Sequence, residues 1–101
     1  MKKIINNKKY DTETAKCVGA YQYGHVGDGQ YFSEKLYLKK TGEFFLYGEG
    51  GGLSRYANEV GMNEWSGGEE IMPMSRDDAM EWAEKYLDGD EFEEIFGEVE
   101  E

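Results

Sequence analysis

Asp77, Glu81, Glu84 and Asp88 recur at spacings of four, three and four in this chain. Wound at 3.6 residues per turn, the four carboxylates fall within an arc of about 60° on one helix face. Two kinds of chemistry are open to such an arc. It can present concentrated negative charge to a cationic surface, or its carboxylates can gather a divalent cation for hydrolytic work. Glu69, Glu70, Asp90 and Glu91 extend the field, as do Glu93 and Glu94, and residues 69–101 carry fourteen acids against two bases. That is −12 in 33 residues, a density above what solubility requires. Like charges at helical spacing repel by a few tenths of a kcal/mol each. Lys85, four residues after Glu81, is placed to offset part of this.

Other reactive types lack the company that chemistry needs. Gly48-Glu-Gly-Gly-Gly52 has neither the Gly-Lys-Ser/Thr ending of a phosphate loop nor the dinucleotide spacing, so it reads as a strand end or a place of tight backbone packing. His25 and Cys17 are the sole residues of their types, short of the paired ligands zinc takes. Asp88-Gly-Asp90-Glu91 lacks the length and terminal bidentate Glu of a calcium loop. No Ser or Cys sits in a nucleophile motif. The expectation is no catalytic residue, no metal site and no cofactor. Tyr21, Tyr23, Tyr31 and Tyr37 are too many to fit inside so small a domain, and Tyr21 and Tyr23 are the ones expected to add contact area to a binding surface, because tyrosine is rigid and large and has a polar tip.

The elements that must carry these residues follow from turn and cap chemistry. Asn6-Asn7 predicts a two-residue hairpin turn within 2–10, since Asn tolerates the left-handed conformation. Asp11 or Thr12 caps one helical turn through Ala15, and Cys17 to Tyr23 runs extended, with Val18 and Ala20 on one face and Tyr21 and Tyr23 on the other. In the hairpin over 31–48, a left-handed Gly42 sets Lys39 opposite Glu43, Leu38 opposite Phe44 and Leu36 opposite Leu46. Leu53 to Val60 is expected as a short helix capped by Ser54, and Gly61 to Gly68 as an irregular loop around Trp65. Ile71, Met72 and Met74 form a strand that Pro73 confines to a sheet edge. Ser75 caps a helix over 75–87 whose apolar face carries Ala79, Ala83 and Tyr86. A second helical turn, Glu91 to Phe96, stops at Gly97, and the tail 97–101 is expected to fray. The expected architecture is one α+β domain over 1–101: a small antiparallel sheet with C-terminal helices packed on one face.

Charge bounds the partners. The net charge is −11, split between +4 in residues 1–40 and −15 in residues 41–101. Such a chain repels phosphate backbones and anionic membranes and is drawn to basic grooves. Its 15% aromatic content sets it apart from disordered acidic tails. The single cysteine and the absence of a long apolar run lead to a cytoplasmic expectation. The N-terminal Met-Lys-Lys-Ile-Ile begins like a signal peptide but turns polar after two apolar residues.

Tyr-Asp-Thr-Glu-Thr-Ala-Lys (10–16), Leu-Tyr-Leu-Lys-Lys-Thr-Gly-Glu-Phe-Phe-Leu-Tyr-Gly-Glu-Gly-Gly (36–51), Ser-Arg-Tyr-Ala (54–57) and Ala-Met-Glu-Trp-Ala-Glu (79–84) resemble a family of small proteins. The family is carried by phages, plasmids and other mobile elements of Firmicutes, and some proteins of this type are anti-CRISPR inhibitors of type II-A Cas9. The resemblance implies a non-enzymatic inhibitor in a bacterial cytoplasm, with Cas9 or the Cas9–guide RNA complex as partner. It supplies no functional residues, so the candidate site rests on charge alone. Two alternatives stand beside it: a metal-dependent nuclease acting on guide RNA, and an antitoxin-like or regulatory accessory of mobile elements.

Overall fold

Asn6 and Asn7 both adopt positive φ, 52° and 64°, closing the two-residue turn between β1 (Lys2–Ile5) and β2 (Lys8–Asp11). The computed structural model describes residues 1–62 and 64–101. After β2 the Asp11 carboxylate accepts from the Glu13 N–H, and Ala15 N–H closes a single helical turn on Asp11 O. The chain then enters a four-stranded antiparallel sheet ordered β3 (Lys16–Tyr23), β4 (Phe32–Leu38), β5 (Phe44–Gly50), β8 (Gly68–Met74). A separate hairpin of β6 (Asn58–Gly61) and β7 (Glu64–Ser66) lies between β5 and β8 in sequence. Two helices follow, α1 (Arg76–Tyr86) and α2 (Gly89–Phe96).

The β4–β5 register is the one the turn chemistry predicts. Leu38 pairs with Phe44 and Leu36 with Leu46, while Gly42 sits at φ 91°. This sends Leu36, Phe44 and Leu46 to one face, where Ala79, Trp82 and Ala83 of α1 and Phe92 of α2 cover them. Phe45, Tyr37 and Ile71 occupy the other face, beneath Tyr10 of the N-terminal hairpin. The sheet is therefore covered on both sides, by helices on one and by the lysine-rich hairpin on part of the other. Pro73 lies in the edge strand β8, as its missing N–H requires.

Two local expectations give way. A β-bulge between Cys17 and Gly19 breaks the alternation of β3, so Val18 and Tyr21 both pack against the helices instead of facing apart. The short helix expected over 53–60 is a turn followed by β6: the Ser54 hydroxyl donates to Gly51 O at 2.7 Å and accepts from the Tyr56 N–H at 3.2 Å. Seating Tyr56 in the core and pairing Asn58 with Ser66 win over a helix too short to nucleate alone. The irregular loop expected over 61–68 includes Asn63, which lies outside the described residues. Trp65, within that stretch, is in β7 opposite Glu59.

The first turn of α1 is held by a complete capping box, with Asp78 N–H donating to Ser75 Oγ at 3.0 Å and Ser75 N–H to Asp78 Oδ2 at 3.4 Å. Ser75→Ala is expected to lower stability by about 1 kcal/mol in urea denaturation while leaving the fold unchanged.

Candidate functional site

Burial of Ala79, Trp82 and Ala83 fixes how α1 rolls on the sheet and turns Asp77, Glu81 and Glu84 to solvent. None of these three carboxylates makes an ion pair or side-chain hydrogen bond among the described residues. Asp88, grouped with them by spacing, is not on α1. Leu87 ends the helix in an extended conformation, and Asp88 becomes the N-cap of α2, accepting from the Glu91 N–H at 2.8 Å. Asp is among the strongest N-cap residues, so local capping overrides the continuing helical period. Asp90 and Glu91 stand exposed in the first turn of α2, where the helix dipole favours negative charge.

The strand alternation of β8 separates the remaining pair. Glu70 shares the helix-side face with Glu34 and Gly48 and lines a depression beside Arg55 and Tyr56, whereas Glu69 projects from the opposite face. There Glu69 accepts a 2.5 Å hydrogen bond from the Tyr47 hydroxyl, which also reaches Glu49 at 3.3 Å. Burial, followed by these carboxylates, pushes the Tyr47 hydroxyl well above the ordinary tyrosine range. The sequence-level field is thus two fields, one on each side of the sheet.

The bases do not neutralise the helical one. The ion pairs among the described residues join Lys8 and Lys39 to Glu43 and Arg55 to Glu34. Lys85, expected to pair with Glu81, lies over the Tyr86 ring, 5.2 Å from its centre. Arg76 is drawn to the end of α2, where it donates to Phe96 O at 3.4 Å and covers that ring. Tyr21, expected as a contact residue, is half-buried against Tyr86 with ring centres 4.5 Å apart, so it supports α1 from below. Tyr23 is exposed and stacks on Phe32.

Lys8, Lys39 and Thr41 all donate to Glu43 and hold its carboxyl down at about 2, against an ordinary value of 4.5. A carboxyl with a depressed folded value adds stability above its unfolded value and loses it as pH falls through the folded one. Glu43→Gln is therefore expected to flatten the loss of melting temperature between about pH 4.5 and 2 relative to the native chain.

One residue with a central structural role escaped the sequence reading. Glu34 is fully buried on the helix-side face of β4. Its Oε1 accepts from Trp82 Nε1 at 2.9 Å, and its Oε2 accepts from the Tyr56 hydroxyl with Arg55 Nη1 at 3.5 Å. Gly48 opposite is what admits the Tyr56 ring, since a side chain there would collide with it. Burial, then the hydrogen bond to Glu34, raises the Tyr56 hydroxyl well above its usual range. An acid among Phe32, Leu36 and Leu38, at the core-facing period of a strand, was the available signal.

Among the described residues no group of three or more His, Cys, Asp or Glu side chains is arranged to hold a metal ion. No described helix is long and apolar enough to cross a membrane. No protein family, curated protein or solved structure matches this chain.

Proposed function

We propose that this chain is a non-enzymatic binding protein whose α1–α2 carboxylates occupy a basic, nucleic-acid-holding groove of a partner protein. Cas9 or its guide complex is the expected target. The observation that carries the reading is the unpaired state of Asp77, Glu81 and Glu84 among the described residues, on a helix held rigid by a buried Trp82. Carboxylates at helical spacing on a packed helix present negative charge with no backbone ordering penalty on binding, leaving only their side-chain rotamers to be fixed. Grooves that grip guide RNA and target DNA are lined with the cations such a surface meets. The resemblance to mobile-element proteins names the target, and the charge supplies the means.

Mixing the purified protein with Cas9 and guide RNA tests this. The expected outcome is a stable complex, loss of target cleavage at one equivalent, and guide RNA recovered intact. Absence of binding with undiminished cleavage at excess protein would remove Cas9 as the target. Guide fragments accumulating beyond one per protein would move the reading to a nuclease.

A further inference from the structure

The four-stranded sheet ends in β3 on one side and β8 on the other, and the two edges are built differently. β8 carries Pro73 and the adjacent charges Glu69 and Glu70, and at its first residue Gly68 lies close against the Tyr56 carbonyl and the Asn58 side chain. Proline, charge and a covering segment are the ordinary means of blocking an edge. β3 has a lysine at its first residue and a bulge confined to Cys17–Gly19. From Gly19 to Tyr23 it pairs with β4 without interruption, Gly19 with Leu36 through Tyr23 with Phe32, so its outer side is equally regular. Among the described residues no backbone hydrogen bond outside the β3–β4 ladder engages this strand. The sole side-chain bond to its backbone runs from Cys17 Sγ to Gly19 O, at 3.5 Å.

Charge sets the same strand apart. Residues 14–27 hold none of the chain's 22 acids and form its longest acid-free run, with Lys16 as the one formal charge in it. A basic segment is drawn to the carboxylates of α1 and α2 and gains nothing here. Nucleic acid and anionic membranes are repelled by the chain as a whole. A neutral edge suits a neutral strand, and another copy of β3 supplies one at the place where two acidic molecules can meet.

We infer that two copies of this chain join through β3, antiparallel across a two-fold axis, and fuse their four-stranded sheets into one. An antiparallel edge is self-complementary: about an axis perpendicular to the sheet, each outward N–H meets a carbonyl of the other copy. Residues paired across such an axis lie on the same face, so Gly19, Tyr21 and Tyr23 meet the same set from the second molecule. Tyr21 and Tyr23 pack on Phe32 and Tyr86 on that face, so the junction extends an existing row of rings. The axis also keeps both α1 helices on one side of the joined sheet, which doubles the acidic display there. The dimer itself stands without the binding function proposed above, and only the use of the doubled display rests on it.

Sedimentation equilibrium of the purified chain tests this, together with hydrogen exchange at its backbone amides. The expected result is a monomer–dimer equilibrium that strengthens as salt rises from about 0.05 to about 0.5 M, because screening relieves repulsion between two chains of −11. Docking of α1 on a basic groove weakens over the same range, so the two surfaces answer salt with opposite signs. Alternate amides within 19–23 are expected to exchange more slowly as protein concentration rises, while those of β8 do not change. Ala20→Glu with Gln22→Glu places acids in the acid-free run, at two exposed positions on the face away from the helices. This pair is expected to weaken dimerisation by about tenfold or more, with the melting temperature of the monomer held within a few degrees. A dissociation constant weaker than about 1 mM in both salts would overturn the proposal. Association that salt weakens, or that the glutamate pair leaves unchanged, would overturn it by placing the contact elsewhere. Protection of 19–23 that appears only when another protein is added would overturn it too, and would give the edge to a foreign strand. Loss of partner binding with the dimer intact removes the helical site alone. Loss of the dimer with partner binding intact removes the edge alone.

Discussion

Glu34→Ala is expected to destabilise the protein by about 3–5 kcal/mol, the range for removing one member of a buried charged network. The whole fold of a chain this size is worth only about 5–15 kcal/mol. Glu34 ties Trp82 of α1, Tyr56 of the β5–β6 connection and β4 together at one fully buried carboxylate. Alanine leaves the indole N–H and the tyrosine hydroxyl without an acceptor, and each such orphan costs about 1–3 kcal/mol. The Arg55 contact adds little, because the guanidinium side is largely exposed. Glu34→Gln keeps one acceptor for Trp82 and is expected to lose about half as much. Urea unfolding followed by tryptophan emission checks both. An alanine variant within about 0.5 kcal/mol of the native chain would mean that the network does not hold the helices on the sheet.

The second large effect is on binding. Replacing Asp77, Glu81 and Glu84 by lysine turns a repelling row for anions into an attracting one. The expected loss against a basic groove is about 100-fold or more, roughly 3 kcal/mol spread over three contacts. All three side chains are exposed and unpaired among the described residues, so the fold should persist. Melting temperature is expected to move by only a few degrees: the new lysines repel one another much as the acids did, and the attraction of Asp78 to a lysine at position 81 partly offsets the loss of Asp77 at the helix N-terminus. Calorimetric titration against the partner at fixed salt reads the effect. Equal affinity for native and reversed proteins would place the contact elsewhere.

Where the sequence was informative, it spoke through local rules. Asn6-Asn7, Gly42, Ser75 with Asp78, and Gly97 each name a backbone conformation or a cap, and each is found where the rule puts it. The split of the sheet's two faces followed from the β4–β5 register. What stayed hidden depends on contacts distant in sequence. The bulge at Val18 has no turn residue to announce it, and Tyr56 enters the core because Gly48 and Glu34, far from it in the chain, make room and a partner. At the candidate site, spacing placed Asp77, Glu81 and Glu84 on one exposed face. It missed that a new cap begins at Asp88 and that Glu69 and Glu70 part company on a strand.

The central claim is that carboxylates stand where a nucleic-acid backbone would. Its most direct measurement is competition: fluorescent guide or target strand bound to the partner, titrated with this protein at constant ionic strength. The expected result is displacement in which the apparent affinity for the strand falls in proportion to protein added, and falls far less with the α1 lysine variant. A ternary complex in which strand and protein bind together, each with undiminished affinity, would contradict it.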